Sequence, residues 1–303
     1  MHGLACVVLG EAGVIELAPN HKTGLPVANP ILLAGGVIGC GDAIAPGLRT
    51  EPLGAAVVGP VLRRPLGGPV PPRVAEMSGG MVLDVGLQNR GLRAVLRRCA
   101  PSWTRLGCPV IVQIADRDVD DLRAVARGLE QARGAAGVEL LVFPEADADE
   151  VALLTARLAL DCDLPVWVKL PLARAADLAA PAVEAGADAL VIAQPPRGAL
   201  MRSAAETQAG APLPGGIVRG GVYGPLAFPL MLSALLDVAA LQLPAVLIAC
   251  GGIHGWEQAR QALRAGAAAV QVDSAAWIEP GLPQQLVAAW RAEEEAGLLR
   301  AAT

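Results

Sequence analysis

Residues 110–143 read VIVQIADRDVDDLRAVARGLEQARGAAGVELLVF, and this stretch decides the fold. It opens with an apolar run at 110–115, continues with a helical pattern at 119–135 behind an Asp-rich start, and ends with a second apolar run at 138–143. Acidic residues at the start favour the helix through its dipole. Within the helical stretch, apolar side chains recur at helical spacing, at Leu122, Val125, Leu129 and Ala132. A strand, a helix and another strand indicate a parallel β–α–β unit.

The same alternation of short apolar runs and longer helical patterns extends along the rest of the chain. In all, eight runs are candidate strands, at residues 31–35, 55–59, 110–115, 138–143, 165–170, 189–193, 245–250 and 268–272. Further helical patterns lie at residues 149–160, 175–185, 226–241 and 255–265. Several runs are continuously apolar, as expected for parallel strands buried on both faces. The pattern predicts an α/β protein with one (β/α)8 barrel, the TIM-barrel fold.

We expect the barrel to occupy the whole chain, residues 1–303, as a single domain, because no linker or break in composition divides it. Two apolar segments at residues 4–8 and 14–17, joined by a turn with two glycines, predict a β-hairpin within a lead-in of residues 1–28. We expect this hairpin to close the N-terminal end of the barrel.

Two predicted connections are longer than ordinary loops between a strand and a helix. They run through residues 60–90, rich in Pro and Gly, and through residues 194–224. Both leave the C-terminal ends of strands, where barrel enzymes place their active sites. Long irregular loops there favour a functional role, and the alternative is that they are disordered insertions.

Composition excludes several classes of function. A net charge of −5 without a basic stripe argues against a nucleic-acid-binding protein. No apolar run reaches the roughly 18 to 20 residues that span a bilayer, and the apolar start lacks the features of a secretory signal, so we expect a cytoplasmic protein. The six cysteines include no C-x-x-C pair, so the familiar zinc and iron–sulfur ligand spacings are missing. We expect a small-molecule ligand and no metal.

Short motifs occur in a fixed order along almost the whole chain. They are NPI at residues 29–31, AGGVIG at 34–39, PPR at 71–73, GGM at 79–81, GLQN at 86–89, VKL at 168–170, EAGAD at 184–188, GGVYGP at 220–225, GGI at 251–253 and AGAAAVQV at 265–272. Each motif alone is weak, but the ordered set is specific. In order and spacing it resembles the dihydroorotate dehydrogenase family, in its cytosolic, class 1-like form.

This resemblance implies an FMN-dependent oxidoreductase of the cytoplasm that oxidises dihydroorotate to orotate in pyrimidine biosynthesis. Cytosolic members are often dimers, and one type pairs with an iron–sulfur flavoprotein subunit, so a homodimer or a partner subunit is also implied. By position, the resemblance implies cofactor contacts from Ala34, Gly35, Gln113, Lys169, Gly220, Gly221, Gly251, Gly252, Asp273 and Ser274. Asn89 and Gln194 fall on the substrate side.

The paired glycines agree with a phosphate site. Gly251 and Gly252 end the seventh predicted strand, and Gly220 and Gly221 follow the long connection after the sixth. Glycine lets backbone N–H groups approach a phosphate closely, and TIM barrels often bind phosphate after strands seven and eight. The alternative is that each pair simply makes a tight turn between a strand and a helix.

Lys169 is one of only two lysines and lies inside an apolar predicted strand. A buried ammonium group is costly unless it meets a partner. The resemblance implies that Lys169 contacts the flavin. The alternatives are an ion pair with a neighbouring carboxylate, or a side chain that extends to the barrel mouth.

The substrate side departs from the family pattern, in which a Cys or Ser base lies in a loop after the fourth strand. Residues 139–147 contain no Cys, Ser or Asn, so no catalytic residue is identified. Proton removal requires a base within hydrogen-bond reach. Glu145 and Asp147 are candidates, or are solvated acids at a helix N-terminus. Leu83 and Leu141 stand where the family has asparagine, and an apolar side chain cannot satisfy a buried polar ligand.

The flavin side departs as well, because Gly59 replaces a family lysine and Asp273 replaces a glycine. A carboxylate beside a phosphate repels it. His254 follows the GGI motif and is either a catalytic or a capping residue, and Cys40 near the first strand lacks a basic neighbour to activate it. Three hypotheses follow: an FMN-dependent oxidoreductase, a non-catalytic paralogue on the same barrel, or a barrel that binds another phosphorylated ligand.

Overall fold

The structure is a computed structural model that describes residues 14–201 and 216–297. Its strands are β1 (Ile15–Glu16), β2 (Pro26–Val27), β3 (Ile31–Leu33), β4 (Ala55–Val61), β5 (Val74–Met77), β6 (Gly80–Leu83), β7 (Val110–Ile114), β8 (Ala135–Leu141), β9 (Val166–Pro171), β10 (Ala189–Gln194), β11 (Arg197–Met201), β12 (Ile217–Tyr223), β13 (Val246–Cys250) and β14 (Ala269–Val272). Its helices are α1 (Leu92–Arg98), α2 (Ala100–Trp103), α3 (Val119–Glu130), α4 (Ala148–Asp161), α5 (Ala175–Glu184), α6 (Ala227–Ala239), α7 (Trp256–Arg264), α8 (Ala275–Ile278) and α9 (Leu282–Glu295).

Eight parallel strands close into a barrel in the order β3–β4–β7–β8–β9–β10–β13–β14, and β14 pairs with β3. Strands that follow one another in this list are neighbours in the barrel. Each predicted strand falls on one of them, so the predicted TIM barrel is confirmed. The predicted helix 119–135 is too long, because α3 ends at Glu130 and Gly134, at φ +95°, turns the chain into β8.

Strand alternation sorts the apolar side chains into two clusters. Val112, Val168 and Ala249 face outward and pack with buried residues of the helices. Ile111 and Trp167, one position before Val112 and Val168, belong to a separate inner cluster. Burial on both faces explains why these strands are continuously apolar.

The inner cluster also contains residues of a small antiparallel pair, β1 and β2. Leu17 and Val27 from this pair are buried there with Trp167, near the start of β9. The pair therefore covers the N-terminal end of the barrel. The predicted strand at 4–8 lies outside the described residues, and the segment at 14–17 forms β1, whose partner in the described chain is β2.

The sequence predicted irregular loops for the two long connections, but both contain β-strands. They contribute a four-stranded antiparallel sheet in the order β11–β12–β6–β5, with Gly221 of β12 opposite Leu83 of β6. Their Gly and Pro content hides the strand pattern, because these residues are depleted in strands. The sheet follows the C-terminal ends of β4 and β10, so it lies on the side of the barrel mouth. Among residues 14–201 and 216–297, no helix is long and apolar enough to cross a membrane.

Candidate functional site

A cavity at the C-terminal ends of β10, β13 and β14 gathers several of the predicted site residues. It measures about 310 Å³, a volume that includes space open to solvent. Predicted residues in its wall are Gln194, Gly251, Gly252, Asp273 and Ser274. Tyr223 and Cys250, which sequence reasoning did not single out, also line it. The other predicted contacts lie outside this wall, namely Ala34, Gly35, Asn89, Gln113, Lys169, Gly220 and Gly221.

Inside the barrel, four buried polar side chains form one network. Glu139 accepts hydrogen bonds from Gln113 Nε2 at 2.7 Å and from Gln271 Nε2 at 2.6 Å. Lys169 Nζ donates to Gln271 Oε1 at 2.9 Å and lies 3.8 Å from Glu139 Oε1. The ion-pair alternative for Lys169 therefore occurs, and its predicted contact with a flavin stays a prediction. The sequence analysis did not identify Glu139. It is the one acidic residue in its apolar strand, and a charged residue in an apolar strand is the same signal that identified Lys169.

The network keeps Lys169 charged. Burial by itself lowers the pKa of Lys169, but the carboxylates of Glu139 and Asp273 counteract this, and its pKa lies above the ordinary value. The Cys250 thiol is neutral, because burial raises its pKa to about 12. The ammonium group is thus retained by the carboxylates around it.

Asp273 follows β14 directly and faces the cavity. The pKa of Asp273 is raised to about 6, chiefly by burial; Lys169 opposes this shift and Glu139 adds to it. A carboxyl group with this pKa is largely ionised at neutral pH. The cavity therefore carries a negative charge at the position predicted for phosphate.

Tyr223, the only tyrosine of the chain, ends β12 and lies over the mouth. Its ring is 5.4 Å from that of Trp277 in α8, with 49° between the planes. Burial raises the pKa of the Tyr223 hydroxyl, and nearby Asp273 raises it further. The side chain is therefore neutral and held against the end of β14. Tyr223 lies within the GGVYGP motif, but the sequence indicated no role for it.

The paired glycines are explained by close packing. A Cβ on Gly252, whose φ is +69°, would lie 2.2 Å from the backbone nitrogen of Phe228. A Cβ on Gly220 would lie 2.2 Å from the carbonyl oxygen of Leu83, because the two strands pair there. The assignment of Gly220 and Gly221 to a loop is wrong, since both lie in β12. Their predicted role in binding phosphate stays a prediction.

At the substrate side of the mouth, charged side chains form ion pairs and hydrogen bonds with neighbouring residues. Arg117 donates to Glu145 at 2.9 Å and to both carboxylate oxygens of Glu150 at 2.6 and 2.7 Å, and its guanidinium lies 5.1 Å from the centre of the Phe143 ring. Asp147 caps α4 by accepting from the backbone of Glu150 at 2.9 Å. Glu145 and Asp147 therefore have the structural roles that were the alternative to a catalytic base.

The polar residues predicted to face a substrate are also engaged by the backbone. Gln194 Nε2 donates to the carbonyl oxygens of Val142 and Lys169. Asn89 donates to the Leu87 carbonyl at 3.0 Å and accepts from the backbone N–H of Gly91 at 2.7 Å, so it holds a turn.

Burial shifts the pKa values of two further candidates. Burial lowers the pKa of His254, which precedes α7 and is partly buried. Burial raises the pKa of Cys40 to about 12, so its thiol is protonated at neutral pH.

The fold and the polar residues at its mouth define a TIM-barrel protein with a site at the C-terminal ends of its strands, the usual place for enzymes of this fold. The family model for dihydroorotate dehydrogenase matches residues 20–288. The chain belongs to this family of oxidoreductases, as the ordered motifs predicted.

Two relatives give the scale of the similarity. The chain is 35% identical over 271 residues to the dihydroorotate dehydrogenase B (NAD(+)) catalytic subunit of Desulforudis audaxviator, which covers 85% of this chain and 86% of the relative. It is 30% identical over 277 residues to the protein of the same name from Bacillus pumilus, with 87% of each chain covered. The similarity therefore extends over most of the barrel.

The residues at the mouth do not fit the FMN that the resemblance implied. A phosphate group needs donors and positive charge, and here Asp273 supplies a carboxylate. A flavin also needs open space at the mouth, and here the Tyr223 side chain lines the cavity together with Asp273.

Proposed function

We propose that this chain is a non-catalytic member of the dihydroorotate dehydrogenase family, a cytoplasmic barrel that does not oxidise dihydroorotate to orotate. One observation carries the proposal: every polar side chain at the substrate side of the mouth considered above is already engaged in a structural contact. The strongest case is the loop after β8, where Arg117 holds Glu145 and Glu150.

Oxidation of dihydroorotate requires a base that removes a proton from carbon. The two carboxylates available in this loop are unsuitable for that task. Glu145 is paired with Arg117 and its side chain is 63% exposed, so it is solvated and directed to the surface. Asp147 accepts a backbone hydrogen bond that begins α4. To act as the base, either carboxylate would have to break a contact that stabilises the loop.

A barrel without catalytic activity would serve in protein interaction, as a homodimer or as a partner of another subunit. The relatives are named as catalytic subunits. Helix α6 and the residue before it present Leu226, Leu230 and Leu236, each about half exposed, at 54%, 51% and 51%. Leu226 and Leu230 are four positions apart and therefore neighbours, and neighbouring exposed apolar side chains favour a protein contact.

The second candidate function is FMN-dependent oxidation of dihydroorotate in pyrimidine biosynthesis. It is favoured by the names of the relatives and by the cavity that brings Gly251, Gly252 and Ser274 together beside the Lys169 network. In this candidate the FMN would accept a hydride, and the base would have to come from a residue not yet identified.

An orotate assay separates the two. The purified protein is incubated with FMN, dihydroorotate and an electron-accepting dye, and orotate formation is followed by its ultraviolet absorbance. We expect no orotate above a control without protein, while the catalytic subunit of a relative, measured in parallel, produces it. Orotate formation that depends on the protein would reject the non-catalytic proposal.

A further inference from the structure

We infer that this chain excludes FMN because two of its own side chains, Tyr223 and Asp273, occupy the barrel mouth where the cofactor would have to bind. The inference deepens the proposed function, on which it rests, by naming what the site has lost and which residues closed it.

The first step is steric. Tyr223 ends β12 opposite Met81 of β6, and its ring packs next to Trp277 of α8. Tyr223 lines the cavity, and its contact with Trp277 holds the ring in place there. A Cβ on Gly221 would lie 2.8 Å from the Tyr223 ring, which shows how closely the ring lies over its own strand. A flavin could enter only by displacing this ring.

The second step is electrostatic. The Asp273 carboxyl group lies in the cavity wall with Gly251, Gly252 and Ser274, the residues whose backbone would otherwise suit a phosphate. A phosphate monoester carries close to two negative charges at neutral pH. Charges of the same sign repel strongly where water is partly excluded.

The third step concerns the nearest cation. The ammonium group of Lys169 already contacts Gln271 at 2.9 Å and lies 3.8 Å from Glu139. Its charge is therefore offset inside the barrel. A phosphate at the mouth would gain little from Lys169 and would still meet the carboxylate of Asp273.

Flavin titrations of the wild type and of five variants test the inference. FMN and riboflavin share the ring system, but only FMN carries the phosphate, so the pair separates the two causes. We expect the wild type to bind neither ligand in equilibrium dialysis. Tyr223→Ser should increase affinity for both ligands, whereas Asp273→Gly should increase affinity for FMN alone. The double variant should bind FMN at least about 100-fold more tightly than the wild type, or roughly 2.7 kcal/mol.

Two matched substitutions serve as controls. Tyr223→Phe keeps the ring and should give no gain, and Asp273→Asn keeps the volume and should give part of the gain for FMN only. Circular dichroism establishes whether each variant is folded. If a variant is not folded, the titration of the wild type still tests the inference.

Wild-type protein that is purified with flavin, or that binds FMN saturably, would overturn the inference, as would a folded double variant without any gain. Flavin binding without orotate formation would reject the inference alone. Orotate formation would reject the proposed function as well.

Discussion

Two layers of the barrel interior differ sharply, although the same strands build both. The lower layer, toward the N-terminal end, contains Ile111, Trp167 and Ile248. Two residues further along the same strands, and therefore on the same inward face, the upper layer contains Gln113, Lys169 and Cys250. The lower layer is held by packing, and the upper one by hydrogen bonds and charge.

The difference separates the contacts that hold the fold from those at the level where a ligand would bind. In the lower layer, even the buried indole N–H of Trp167 has no hydrogen-bond partner among the described residues. Each member of the upper network, in contrast, depends on a particular partner, since Glu139 is held by Gln113 and Gln271. The polar groups that a ligand would need already form hydrogen bonds with one another. A network with all its hydrogen bonds formed stabilises a single arrangement of these side chains.

The largest effect should come from breaking the ion pair of the upper layer. Lys169→Met leaves Glu139 buried without its cation, and we expect it to lower the free energy of unfolding by about 3–5 kcal/mol. Chemical denaturation followed by tryptophan fluorescence measures the change.

A double variant tests whether the cost comes from the uncompensated charge. Glu139→Gln combined with Lys169→Met removes both charges and should recover much of the loss. Equal stability of the wild type and Lys169→Met would contradict an upper layer held by charge.

A second, smaller effect should appear as a pH dependence. Asp273 has a pKa of about 6 in the folded protein, above its ordinary 3.8, because it is buried. Between these two pH values the folded state binds the proton more tightly than the unfolded state, so this group lowers stability as pH rises from about 4 to about 6. Asp273→Asn should therefore stabilise the protein above pH 7 by about 3 kcal/mol, and the gain should vanish below about pH 4. Denaturation curves at several pH values measure it, and a gain independent of pH would count against the raised pKa.

The smallest effect is expected in the lower layer. Ile248→Val removes one methylene group from a fully buried side chain and should cost about 1 kcal/mol. Because apolar packing involves no proton, the cost should be equal at pH 5 and pH 8. A cost that changes with pH would show that the two layers are coupled.

The barrel itself could be predicted from the sequence because its strands are continuously apolar. Residues 189–193 and 245–250 were placed on β10 and β13 with small errors at the ends. The four-stranded sheet at the mouth could not be predicted, because its strands contain Gly220, Gly221 and Gly80, which carry no side chain to show alternation.

The site was predicted only in part, for a physical reason. Lys169 was recognised because a charge in an apolar strand needs an explanation, but its partner Gln271 lies 102 positions away in the chain. Only the closed barrel brings the two together. Tyr223 likewise reaches Trp277 through the fold, so its position over the mouth could not be read from neighbouring residues.

The aromatic contact between Tyr223 and Trp277 has a consequence for the abundance of the protein in a cell. A protein that binds a cofactor only when folded gains stability with the cofactor's concentration. On our inference, this barrel completes its mouth with its own side chains and has no such dependence. Its abundance would then follow its own folding and synthesis, and would stay constant when riboflavin becomes scarce.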